Sequence, residues 1–172
     1  MNTQIEIVND LLKIKAITLS IEKPYTWASG LKSPIYCDNR LTISYPKIRK
    51  NITNKFVQYI ENNFDKVDAI VGTATAGIPQ ACWIADTLQL PTAYIRSSKK
   101  AHGKTNKIEG DLNKVKKVIV IEDLISTGQS SINACQALID NNIEVLAVLS
   151  IFDYNLKASK ETLKMQILNT IV

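Results

Sequence analysis

A single histidine, His102, is all the imidazole this chain has, so His-based metal cages and catalytic triads have almost no material to draw on. Cysteine is nearly as scarce. Cys37, Cys82 and Cys135 are odd in number, far apart and form no CxxC pair. A disulfide framework and a thiolate metal site are therefore not expected, and free thiols in a reducing cytoplasm are. Aromatic residues make up only 6 % and do not alternate with lysines, so there is no stacking platform for single-stranded nucleic acid. No apolar run approaches the roughly 20 residues of a membrane span. Met1 to Asp10 lacks a cationic start followed by an apolar block, so no secretory leader is expected. Internal repeats and low-complexity tracts are also missing.

What remains is an ordinary globular composition. Hydrophobic residues account for 45 % of 172 residues, enough for one domain, 1–172, with a real core. The net charge is +5, with lysines spread out except for Lys99, Lys100, Lys104 and Lys107. A phosphorylated small molecule accounts for that charge without nucleic acid or a membrane surface.

The patterning alternates helices and strands. Thr3 to Ile14 reads as a helix with Ile5, Val8 and Leu12 on its apolar face. Pro46 opens a second helix, and Ile48, Ile52, Phe56, Ile60 and Phe64 form its core stripe. Short apolar strands are expected at Ala69–Gly72, Thr92–Ile95, Val115–Ile121 and Val145–Ile151. Helices should start at Gly77 and just after Ser130, the second ending at Asn141-Asn142. Met165 to Val172 could add a last strand. The fold class is thus α/β, a parallel sheet with helices on both faces, and ligands should bind at the carboxyl ends of its strands.

The stretch Val118 to Ser130 carries the most chemistry. A buried strand runs into two adjacent carboxylates, Glu122 and Asp123, where the strand is expected to end. Leu124 and Ile125 follow, then Ser126-Thr127-Gly128-Gln129-Ser130 and a helix. A hydroxyl- and glycine-containing loop opening a helix cradles phosphate, because its N–H groups and the helix dipole face the anion. The acids can hold sugar hydroxyls, so the element offers a phosphate site beside a diol site, as a ribose 5-phosphate requires. The plainer alternative is an acidic turn before a helix capped by Ser126 or Thr127.

Three other segments have site character. Ser97 to Asp111 is long for an inert connection and holds the only histidine, which suits a lid closing over pyrophosphate. Gly72-Thr-Ala-Thr-Ala-Gly77 is a second glycine-bounded turn between strand and helix, able to grip phosphate by its N–H groups or simply to connect. Tyr25 to Arg40 collects two tyrosines, a tryptophan and several polar groups, either a cap on the sheet edge or a hood that recognises a flat, polar base.

Apolar strand, Glu-Asp, two apolar residues, Ser-Thr-Gly and then Ser resembles the phosphoribosyl pyrophosphate signature of type I phosphoribosyltransferases. With Tyr25–Arg40, Gly72–Pro79 and the lid Arg96 … Lys100-Ala-His102-Gly103, the chain resembles the orotate phosphoribosyltransferases, in the form common in Gram-positive bacteria, from about Ile7 to Lys160. The resemblance implies the type I fold, a central mostly parallel sheet flanked by helices, with a small N-terminal hood at about 18–45 and a lid at about 97–111. It implies transfer of phosphoribose from phosphoribosyl pyrophosphate to orotate, giving orotidine 5′-monophosphate in pyrimidine (UMP) synthesis. It further implies Mg²⁺ held mainly through the substrate, with no metal site of the protein's own. A cytoplasmic homodimer, each lid reaching the neighbouring site, is implied as well.

The same resemblance assigns roles. Glu122 and Asp123 would hold the ribose and Ser126 to Ser130 the 5-phosphate, with Leu124 and Ile125 also counted among the residues that bind phosphoribosyl pyrophosphate, and Ser126 would also meet orotate. Arg96, Lys99, Lys100 and His102 would meet pyrophosphate. Lys100, His102 and Asp123 are the catalytic candidates, His102 as proton donor to pyrophosphate. Ser97, Ala76 and Ala28 stand where many family members have lysine, so pyrophosphate roles there are not expected. Family members continue past a position like Val172, so the C-terminus is expected to be shortened. A transferase for another base, or a non-catalytic sensor of phosphoribosyl pyrophosphate, are the alternatives.

Overall fold

The computed structural model describes residues 3–27, 30–97, 107–156 and 168–170. Helix α1 (Thr3–Lys13) leads into a hood of two small antiparallel ribbons. In one, β1 (Ile17–Leu19) pairs with β4 (Ile35–Cys37). In the other, β2 (Tyr25–Thr26) pairs with β3 (Lys32–Ser33). A 3₁₀ segment, Asn39–Ser44, connects the hood to α2 (Pro46–Asn63).

The rest alternates strand and helix: β5 (Ala69–Thr73), α3 (Gly77–Leu88), β6 (Thr92–Ile95), β7 (Ile108–Glu109), β8 (Lys117–Ile125), α4 (Gln129–Ile139), β9 (Glu144–Asp153) and β10 (Leu168–Thr170). They form one sheet in the order β10-β9-β8-β5-β6-β7, parallel except for β7, which runs antiparallel to β6. Alternation along the strands divides the core. Ile70, Ile119, Ile121 and Leu149 face α1, α2 and α3, packing on Ile7, Ile52, Phe56 and Ile84. Val71, Val118, Val120 and Val148 face α4, packing on Ala134, Cys135 and Leu138. A sheet covered on both faces needs apolar residues at successive positions, which is why its strands read as continuous β-branched runs.

Several sequence expectations change. The buried face of α1 is Ile7 and Leu11, while Ile5 and Leu12 are exposed. Both sets have helical spacing, and packing against α2 selects between them. Strand β8 does not stop before the acids; it continues to Ile125 because β9 keeps pairing with it, Leu124 opposite Phe152 and Ile125 opposite Asp153. The described ends of the 97–111 segment are also joined, where β7 pairs with β6 and the Arg96 N–H donates to the Lys107 carbonyl at 2.9 Å. Among the described residues no helix is long and apolar enough to cross a membrane.

Candidate active site

The carboxyl ends of β5, β8 and β9 converge with the hood around a cavity of about 300 Å³. Its lining includes Asp123, Leu124 and Ser126 from the end of β8, Ala76 from the turn after β5, and Tyr154 just after β9. The hood contributes Trp27, Tyr36 and Arg40.

The two adjacent acids have different surroundings. Glu122 is buried, 5 % exposed. Its Oε1 accepts the Thr73 hydroxyl at 2.5 Å and the Asp123 N–H at 3.2 Å. Its Oε2 accepts Ser130 Oγ at 2.8 Å and Ser131 Oγ at 3.5 Å. Asp123 instead lines the cavity. Burial, and then the neighbouring Glu122 charge, push its carboxyl up to about 7. Its backbone carbonyl accepts Asn39 Nδ2 at 2.6 Å, which ties the hood to β8.

Loop 126–130 has the geometry of an anion cradle. Gly128, at φ +81°, is the N-cap of α4, and no side chain caps that end. Glycine occupies this left-handed conformation without the Cβ strain of other residues, and the first N–H groups of a helix have no partner within it. Neither Ser126 nor Thr127 is the cap. Ser126 lines the cavity, Thr127 is half-buried and Gln129 is exposed, its Nε2 donating to Asn133 Oδ1 at 3.2 Å. Ile125 is buried in the α4-side core, and its carbonyl accepts the Tyr154 N–H at 3.0 Å, so its side chain does not face the cavity.

The turn after β5 lies beside β8 because Gly72 sits opposite Ile121 in the register. A Cβ on Gly77 would lie 2.5 Å from the Ile121 carbonyl oxygen and 2.7 Å from Thr73 Oγ1, so only glycine permits this approach. The Ala74–Thr75 peptide in the turn is cis. Where β6 and β7 pair, Arg96 Nη1 meets Glu109 Oε1 at 3.4 Å. Lys99, Lys100 and His102 lie outside the described residues, as does Ala28.

Three contributors escaped the sequence reading. Thr73 was only part of a glycine-bounded turn, and Asn39 only the end of a polar loop. Tyr154 follows a strand with no pattern to mark it, yet its hydroxyl accepts the Cys37 N–H at 2.9 Å and its ring lies 3.9 Å from that of Trp27, centroid to centroid. Burial raises the Tyr154 phenol to about 12 and the Cys37 thiol to about 12, so both are neutral.

Comparison with known proteins agrees with this geometry. Residues 43–167 match the phosphoribosyl transferase domain. The chain is similar to an orotate phosphoribosyltransferase of Fusobacterium nucleatum, 61 % identical over 91 % of this chain and 75 % of that protein. It is also similar to one of Listeria innocua, 52 % identical over 95 % and 78 %. In three dimensions it resembles the orotate phosphoribosyltransferase of Aeropyrum pernix, with a TM-score of 0.83, 25 % identity and coverage of 96 % and 92 %. The acid pair, the glycine-capped loop and the tight turn after β5 therefore stand in a chain that belongs to the orotate phosphoribosyltransferase family.

Proposed function

We propose that the protein transfers the phosphoribosyl group of phosphoribosyl pyrophosphate to orotate, giving orotidine 5′-monophosphate and pyrophosphate in pyrimidine (UMP) synthesis. The observation that carries this reading is the apposition of a glycine-capped anion loop, a carboxylate and an aromatic hood around one cavity. The 5-phosphate sits on Ser126 to Ser130, drawn by N–H groups at the start of α4. Asp123 faces the ribose and opposes the positive charge that builds at the anomeric carbon as pyrophosphate leaves. Ser126 lies where it can meet both phosphate and base.

From the lid, Arg96, Lys99, Lys100 and His102 meet the pyrophosphate. Lys100 stabilises the departing charge, and His102 supplies a proton. A preorganised donor of this kind lowers the barrier by about 3–4 kcal/mol.

In this reading Mg²⁺ is carried mainly by the substrate. Among the described residues no group of three or more His, Cys, Asp or Glu side chains could hold a metal. Glu122 already accepts four protein donors and Asp38 is paired with Arg40, which leaves Asp123 as the carboxylate to approach such an ion. When bound, Mg²⁺ would withdraw charge from the pyrophosphate oxygens.

Exposed apolar side chains of the hood and of the 3₁₀ segment after it, among them Leu19, Ile21, Leu41 and Ile43, support a homodimer in which each lid serves the neighbouring site. Three free cysteines fit a cytoplasmic enzyme. The test follows the loss of orotate absorbance with phosphoribosyl pyrophosphate and Mg²⁺, for this chain and for Lys100→Ala. Turnover that falls by about a hundredfold or more in the variant is expected. A chain that binds phosphoribosyl pyrophosphate but does not consume orotate would overturn the reading.

A further inference from the structure

Orotate differs from the common pyrimidine bases by its carboxylate, which sits next to the nitrogen that is alkylated. A site that takes it needs flat walls for the ring and a cationic donor for the carboxylate. The walls are there, since Trp27, Tyr36 and Tyr154 all line the cavity. The carboxylate is the harder requirement, because Asp38 and Asp123 line the same cavity and would repel it. Among the described residues that line it, Arg40 is the only cation.

Arg40 is held in a defined pose. Its Nε donates to Asp38 Oδ1 at 2.6 Å, and its Nη2 donates to Asp38 Oδ2 at 2.9 Å. Asp38 is itself fixed by the Arg40 N–H at 3.2 Å, as the cap of the 3₁₀ segment. A guanidinium has five N–H donors in a rigid fork, so the Asp38 contacts leave both Nη1 donors and one Nη2 donor for another oxygen pair. The Asp38 pair cancels much of the net charge, so the site would act by directed hydrogen bonds more than by long-range attraction. As a structural pair alone, Arg40 and Asp38 would stiffen an exposed loop and leave substrate affinity unchanged.

We propose that Arg40, aligned by Asp38, receives the carboxylate of the base and so makes this site selective for a carboxylated pyrimidine over an uncharged one. The inference rests on the reading of the cavity as the base site of an orotate-using enzyme. It also explains why Asp38 matters: it turns a flexible side chain into an oriented fork.

The test compares wild type, Arg40→Gln and Arg40→Lys by steady-state kinetics with orotate and with uracil, and by equilibrium titration of orotate into the protein with phosphoribosyl pyrophosphate absent. Arg40→Gln should raise the orotate KM and Kd by about 10- to 100-fold, the scale of a charge-assisted hydrogen-bond pair. The KM for phosphoribosyl pyrophosphate should stay within about twofold, and the preference for orotate over uracil should fall by the factor lost in orotate affinity. Arg40→Lys keeps the charge but not the fork and should recover little of the loss. Unchanged orotate affinity in Arg40→Gln, with active wild type, overturns the Arg40 assignment and leaves the enzymatic reading standing. Wild type that does not consume orotate overturns the enzymatic reading. In that event the titration still decides, and equal orotate affinity in both proteins, or none in either, overturns Arg40.

Discussion

The Thr73 hydroxyl donates to Glu122 Oε1 at 2.5 Å, joining the end of β5 to the acid pair of β8. Because Ser130 donates to the other oxygen, one buried carboxylate ties together the turn after β5, the strand β8 and the first turn of α4. These are the elements that meet at the carboxyl edge of the sheet, beside the cavity. Glu122 thus has the surroundings of a brace, whereas Asp123 has those of a ligand.

Thr73→Val tests that brace. Valine keeps the shape of threonine and removes the donor, leaving Glu122 Oε1 with the Asp123 N–H alone. Losing one hydrogen bond to a buried charged acceptor costs about 1.5–3 kcal/mol. The variant should therefore unfold at lower denaturant concentration with an unchanged slope, and kcat should fall because the turn and the loop are no longer held in register. Wild-type stability in the variant would mean that the hydroxyl bond contributes nothing net.

Gly77→Ala tests the close approach of the turn to β8. The added methyl would sit 2.5 Å from the Ile121 carbonyl oxygen and 2.7 Å from Thr73 Oγ1, both on elements fixed by the sheet. Neither neighbour is the end of a flexible side chain, so the turn must shift. Overpacking of this kind costs about 1–3 kcal/mol. The shift should weaken phosphoribosyl pyrophosphate binding more than orotate binding, which paired titrations of the two ligands would show. Equal weakening of both would argue for general destabilisation instead.

Periodicity made the scaffold legible. The stripe Ile52, Phe56, Ile60 marked α2, and the β-branched runs marked the central strands, because covering both faces of a sheet leaves a strong local signal. The acid pair and the 126–130 loop were legible for a different reason: strand, acids and cradle are contiguous. Thr73 with Glu122, and Asn39 with Asp123, were not, because each contact depends on register or hood docking between residues far apart in sequence. Tyr154 was hidden similarly, its hydroxyl meeting Cys37 across 117 positions. The face of α1 was misread because Ile5, Val8 and Leu12 and the pair Ile7 and Leu11 both have helical spacing, and only α2 distinguishes them.

Asp123→Asn should change how stability depends on pH. Burial, followed by repulsion from Glu122, raises the folded carboxyl from 3.8 to about 7. The folded state therefore binds this proton more tightly than the unfolded chain does. Stability from the protonated carboxyl is fully present below about 3.8 and is lost as pH rises through about 7. Asparagine keeps the shape without the charge and has no such loss. In the ligand-free protein without Mg²⁺, the two should be similarly stable near the lower value. The variant should then gain on wild type as pH rises, with the difference levelling off once the folded carboxyl has ionised. The gain should be on the order of a few kcal/mol, since each tenfold change in proton affinity corresponds to about 1.4 kcal/mol, the shift spans about three such steps, and partial exposure screens part of the effect. Groups that titrate equally in both proteins cancel in the difference. Unfolding measured across this range decides it: a difference independent of pH would mean that Asp123 ionises as an ordinary surface carboxylate and that the Glu122 charge is not felt at the cavity.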